Sequence, residues 1–284
     1  MVGPARRVNR TQLGAALRAL RQASGKEAKA VARGAVMSAS KLSKIETGKV
    51  APTVVDVERI LTAIGVSDEV KAEYMAVARA EATETTAWRL VRRLGHHRKQ
   101  QQIKALDEST GLIRLFQPSI VPGLLQTPEY VRAVFGRKGL GEDQLSRAVA
   151  ARLARQSTLY DTTKILRLVI TEPVLRWRLV PAAMMAAQLD RIVSASRMSH
   201  VDVRVVPLDV RQSDVPAHSF VIRDDRMVTV ETVHAEITVT DPRDVEAYIR
   251  KFDGFMAGAL AGEAMRSLVE GIRDDFLREQ ETAS

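Results

Sequence analysis

Apolar residues recur three and four positions apart along the first 65 residues, and each such stretch runs into a glycine. That spacing predicts four short helices. "TQLGAALRALRQASG" sets Leu13, Leu17 and Leu20 on one face and stops at Gly25. "KEAKAVARGAV" is brief and alanine-rich, with Val31 and Ala32 as its buried pair. In "MSASKLSKIETGKVAP" only Leu42 and Ile45 form an apolar stripe, so Ala39, Ser40, Lys41, Ser43 and Lys44 occupy the remaining faces. Ser38 is the expected N-cap of that helix, Gly48 its left-handed stop, and Pro52 discourages resumption. "TVVDVERILTAIG" opens with Thr53 and Asp56 at capping-box spacing, buries Val57, Ile60, Leu61 and Ile64, and closes at Gly65.

Residues 67–109 read as two helices, with Ser67 as a cap and Gly95 as a break. Adjacent histidines on a helix point about 100° apart, so His96 and His97 suit a basic helix end better than a metal site. From Leu112 the pattern changes. "LIRLFQ", "KILRLVITE", "VDVRVVP", "HSFVIRDDRMVTVETV" and "EITVT" are strand-like, the fourth being a hairpin around Asp224 and Asp225. A two-residue turn there would place His218 opposite Glu231. Helices intervene, with Thr127 and Asp241 as caps and Pro128 and Pro242 just inside. The last helix is expected to bury Met265, Leu268, Val269, Ile272 and Phe276. The fold class is therefore a mostly α N-terminal domain followed by an α+β C-terminal domain with a small mixed sheet. Boundaries are expected at 1–66, a helical connector with a possible dimer contact at 67–104, and 105–284.

Charge separates the same regions. Residues 1–104 hold 20 Lys and Arg against 9 Asp and Glu, whereas the remaining 180 hold 23 against 25. The whole excess of +9 thus lies in the N-terminal third, as expected of a module that meets a polyanion. The chain has no cysteine, which removes disulfides and thiolate metal sites. No uncharged run reaches the roughly 18 residues of a membrane span, so a soluble, cytoplasmic protein is expected, without membrane attachment. No nucleophile elbow, phosphate loop or dinucleotide fingerprint is present, so neither catalytic residues nor a cofactor or metal is expected.

Gly25, Ala32, Ser38, Ile45 and "IETGKVAP" fall without gaps on the pattern of the Xre-type helix-turn-helix family, which this region resembles. The resemblance implies a lambda-repressor-like fold in which residues 38–47 enter the major groove while roughly 26–34 cross the backbone. It implies base-edge contacts from Ala39, Ser40 and Lys41, with Lys44 reaching a base or a phosphate. Ser38 and Ser43 are then cap and phosphate contacts, and Lys26, Lys29 and Lys49 phosphate ligands. Arg21 and Glu46 match a structural ion pair of the family. Glu27 and Ala28 stand where the family has Ser or Thr followed by Gln, so those contacts do not carry over. Val36 replaces the usual turn glycine, and a departure from left-handed geometry is expected there. Arg6, Arg7 and Arg10 are either a minor-groove arm or a frayed basic terminus.

"LFQPSIVPGLLQTPEYVRAV", "ITEPVLRW", "VRVVPL" and "HAEITVTDPRDV" resemble a C-terminal domain of unknown function carried by Xre-type regulators of actinomycetes. That resemblance implies a transcriptional regulator whose partners are double-stranded DNA, a second copy in a homodimer, and a small companion protein encoded nearby. It leaves open an antitoxin-like role, in which the companion is sequestered, and a small-molecule-responsive one.

Overall fold

The computed structural model describes residues 10–87, 95–212, 214–232 and 235–283. Arg6 and Arg7 lie outside the described residues. Two compact units emerge: residues 1–84 with 238–244, and residues 85–237 with 245–284.

The first unit is built from α1 (Arg10–Ala23), α2 (Ala28–Gly34), α3 (Ala39–Glu46), α4 (Val54–Ile64) and α5 (Asp68–Ala82). Leu13 and Leu17 of α1, Val31 and Ala32 of α2, Leu42 and Ile45 of α3, and Val57, Ile60 and Leu61 of α4 close on one core. Thr53 and Asp56 form the capping box in full, and Gly65 ends α4 at φ 80°. Met75 and Ala78 of α5 are buried in that same core. The connector read from the sequence therefore divides, because α5 has its own apolar stripe to cover and packs here. Of the second helix expected in the connector, Thr83–Ala87 is a strand, β1, and His96–Glu108 is helical, while residues 88–94 lie outside the described residues.

The rest of the chain forms α6 (His96–Glu108), β2 (Leu112–Gln117), α7 (Pro128–Gly136), α8 (Glu142–Arg155), β3 (Ile165–Thr171), α9 (Glu172–Arg176), α10 (Ala182–Ala195), β4 (Val201–Val206), β5 (Phe220–Arg223), β6 (Met227–Glu231), β7 (Ala235–Val239), α11 (Pro242–Gly258) and α12 (Gly262–Ala283), all in the second unit except Thr238–Asp244, which holds the end of β7 and the start of α11. The sheet is larger than the sequence suggested and runs in the order β1-β7-β6-β5-β2-β3-β4. β2, β3 and β4 are parallel, whereas β5 joins β2 antiparallel and pairs in turn with β6. Ile113, Leu115, Leu166, Leu168, Ile170, Val203 and Val205 share one core with Leu189 and Ile192 of α10 and Met265, Val269 and Phe276 of α12. Phe116, on the opposite parity of β2, stacks on Phe255 of α11 at 4.1 Å between ring centroids. Alternation along β2 thus feeds both faces of the sheet.

His96 is buried in the first turn of α6, its ring 6.0 Å from that of Phe135, while Lys99 pairs with Glu236. The expected hairpin register is off by one residue. Arg223 pairs with Met227 and Phe220 with Val230, so the turn holds three residues and His218 does not face Glu231. Asp224 explains the difference: it adopts φ 50°, and its Oδ1 accepts the Gly111 and Leu112 amides at 3.0 and 2.9 Å. The His218 ring instead lies against Phe220 and Tyr248.

Candidate nucleic-acid interface

Helix α3 exposes most of its surface because its sequence offers so little to bury. Leu42 and Ile45 are fully buried, while Ala39, Ser40, Lys41, Ser43 and Lys44 are exposed. Ser38 caps the helix, its Oγ accepting the Lys41 amide at 3.1 Å. Gly48 follows the C-cap Thr47 at φ 72°. The turn from α2 into α3 is a Schellman motif: the Val36 amide donates to Arg33 O at 3.1 Å and the Met37 amide to Ala32 O at 3.0 Å. Its left-handed position is Val36 itself, at φ 54°. The departure expected of a valine does not occur; the two closing hydrogen bonds hold the chain in the geometry that glycine normally supplies.

Two contacts set how α3 sits on α1. A Cβ on Gly14 would lie 2.2 Å from Ile45 O, so only glycine lets the two backbones come this close. Arg21, in the last turn of α1, then grips Glu46 in the last turn of α3. Its Nε donates to Oε1 at 2.7 Å and its Nη2 to Oε2 at 2.9 Å, and Nη1 reaches Lys26 O at 3.2 Å. The Glu46 hydrogen bond raises the Arg21 guanidinium above its ordinary value, against the opposing effect of burial. The fork-on-fork geometry is the strong form of such a pair.

The lysines separate into engaged and free. Lys41 Nζ lies 2.7 Å from Asp56 Oδ1, tying α3 to the capping box of α4. Its use on a base edge would have to compete with that pair. Lys26, expected as a phosphate ligand, instead donates to Ala63 O at 2.9 Å, because the end of α4 leaves a carbonyl in need of a donor. Lys29, Lys44 and Lys49 are exposed and carry no side-chain partner among the described residues. The sequence reading missed Asp56 as the partner of Lys41 and Gly14 as the contact that admits α3. A glycine inside the leucine pattern of α1 was the available signal for the second. The exposed α3 face therefore presents hydroxyl, methyl and ammonium groups, with Lys29 and Lys49 outside it.

Residues 12–74 match the family described as Helix-turn-helix domain, and residues 100–271 the family described as Domain of unknown function (DUF5753). No curated protein matches the chain. Among solved structures, Nuc, a phospholipase D family member from Salmonella typhimurium, is similar at 13% identity and a TM-score of 0.33, over 63% of this chain and 98% of its own. TrmBL2, an archaeal chromatin protein whose structure shows a novel mode of DNA binding, is similar at 13% identity and 0.33, over 73% of this chain and 69% of its own.

Proposed function

The chain belongs to the DUF5753 family and carries a helix-turn-helix domain ahead of it, and from that premise we propose that it is a sequence-specific DNA-binding transcriptional regulator. The exposed face of α3 carries the reading. Its Ser40, Ser43 and Lys44 are held outward by a helix anchored through Leu42, Ile45 and the Arg21–Glu46 pair. Side chains near the start of such a helix meet base edges, and flanking lysines meet phosphates. Two copies would place their recognition helices about 34 Å apart, one helical turn, and read a near-palindromic operator. The C-terminal domain takes a small companion protein in this reading and has a binding rather than a catalytic role. An antitoxin-like regulator of the Xre type, holding its companion inactive and controlling its own operon, is the narrower version.

The deciding experiment titrates purified protein on its own upstream DNA and on scrambled DNA at several salt concentrations. A preference of about 10³-fold or more for the native sequence is expected. Equal, salt-sensitive binding to both would reject sequence-specific recognition. Co-purification of a neighbour-encoded protein tests the companion separately.

A further inference from the structure

The second unit encloses a cavity of about 70 Å³ between α6, α8 and the β2-β5-β6 part of the sheet. Four cations line it, Lys99, Arg152, Arg155 and Arg223, beside two carboxylates, Glu231 and Glu236. Three of the cations have a carboxylate. Asp107, fully buried, takes Arg155 Nε on Oδ2 at 2.8 Å and Arg223 Nε on Oδ1 at 3.0 Å, and Lys99 pairs with Glu236. Arg152 differs. Its Nε donates to Gln100 Oε1 at 2.7 Å and its Nη1 to Gln126 Oε1 at 3.0 Å, both neutral amides, and its guanidinium lies 4.9 Å from the centre of the Phe135 ring. Burial, with repulsion from Arg155, pulls that guanidinium down to about 10, and attraction to Glu231 only partly offsets it.

A half-buried guanidinium whose hydrogen bonds all go to neutral acceptors is better satisfied when an anion completes it. One polar atom of the same cavity, Gln117 Oε1, is buried and meets no donor among the described residues; as an acceptor it calls for a water or the P–OH of a hydrogen phosphate, not for an anionic oxygen. Gly123 belongs to the construction, since a Cβ there would come within 2.6 Å of Arg152 Nη1. Water occupies about 30 Å³ in the liquid, so the cavity has room for about two waters or one compact oxyanion.

We propose that this cavity is a binding site for a small oxyanion, the carboxylate or phosphate group of an effector, with Arg152 as its principal ligand and Lys99 and Arg155 beside it. The planar fork of arginine suits either group. That the effector adjusts DNA binding rests on the regulator reading above; the site itself does not.

The test uses the full chain in chloride buffer without DNA, titrated calorimetrically with inorganic phosphate and separately with acetate at constant ionic strength. Saturable binding of one of them with Kd below about 1 mM is expected, weakened about tenfold or more by Arg152→Gln and unchanged by Lys44→Ala on the DNA-facing helix. Phosphate alone or acetate alone identifies the group. If Arg152→Gln does not fold, arginine side-chain NMR on the wild type replaces it. A saturable shift of the Arg152 Nε–H signal supports the site, and shifts confined to residues of α1–α4 overturn it. No saturable binding of either anion to about 20 mM, or equal binding by a folded Arg152→Gln variant, overturns it as well. Since no DNA is present, these outcomes are separate from failure of the DNA titration.

Discussion

Lys41 Nζ lies 2.7 Å from Asp56 Oδ1, while Oδ2 of the same carboxylate accepts the Thr53 amide at 3.1 Å. One nearly buried side chain thus closes the N-terminus of α4 and holds a lysine of α3. The two functions share a charge, so the pair reports on both the stability of the helix-turn-helix unit and the freedom of Lys41.

Burial pushes the Asp56 carboxyl up, but hydrogen bonds from Lys41 and Thr53 outweigh it and leave it below the usual carboxylate range. A folded-state value below the unfolded one means stability is fully present above an unfolded pKa of about 3.9 and is lost as pH falls through the folded value. Asp56→Asn is expected to cost about 1–2 kcal/mol at pH 7, and the gap to wild type should close as the pH is lowered through the acid range. Urea unfolding at pH 7 and at pH 3 measures it. A gap of constant size would show that the charge of Asp56 contributes nothing.

Lys44 gives the clean probe of DNA contact. It is exposed and without a side-chain partner among the described residues, so Lys44→Ala should leave the melting temperature unchanged. DNA affinity should fall, with the slope of log affinity against log salt reduced by about 0.9 per protomer if the ammonium meets a phosphate. Lys41→Glu is a confounded probe by comparison, because it sets a second carboxylate beside Asp56. An unchanged slope in Lys44→Ala would place that lysine off the phosphates.

Helix positions, caps and stops of the first unit were legible because each is a local property: leucines at helical spacing, a hydroxyl before the first turn, a glycine after the last. The match of Arg21 to Glu46 was legible only through resemblance, since the two lie 25 residues apart and nothing in spacing pairs them. Long-range arrangements were not legible. Lys26 is expected from the sequence as a phosphate ligand and Lys41 as a base-edge contact, yet each finds a partner on α4 that becomes available only once the helices pack. The hairpin register failed for a related reason, because Asp224 is fixed by amides more than 110 residues away in sequence. Arg152 looked like any helix arginine until α6 and the loop after β2 closed around it.

The Arg21–Glu46 pair is a polar contact of the first unit whose loss is expected to be costly. Its side chains are 13% and 6% exposed, so removing one partner strands the other charge. Glu46→Gln is expected to destabilise by about 3–5 kcal/mol, and Arg21→Met by a similar amount. The double variant should be less damaging than the sum of the two, because no uncompensated charge remains. A double-mutant cycle by urea unfolding tests this, and strict additivity would show that the two side chains are energetically independent.

Val36 carries avoidable backbone strain. A β-branched residue in the left-handed region is disfavoured by about 1–2 kcal/mol, and φ 54° places Val36 there. Its side chain is 76% exposed, so truncation forfeits little apolar burial, and both Schellman hydrogen bonds use backbone groups that glycine also has. Against this, glycine loses more backbone freedom on folding, about 0.5–1 kcal/mol. Val36→Gly should therefore stabilise the first unit by about 0.5–1 kcal/mol, raising its urea midpoint without altering the slope. Val36→Ala keeps a Cβ in the unfavourable region and should recover less of that gain. Because the turn sets the entry into α3, Val36→Gly should also leave DNA affinity intact. A lower midpoint for glycine than for valine would mean that the valine side chain stabilises the turn through contacts outweighing its strain.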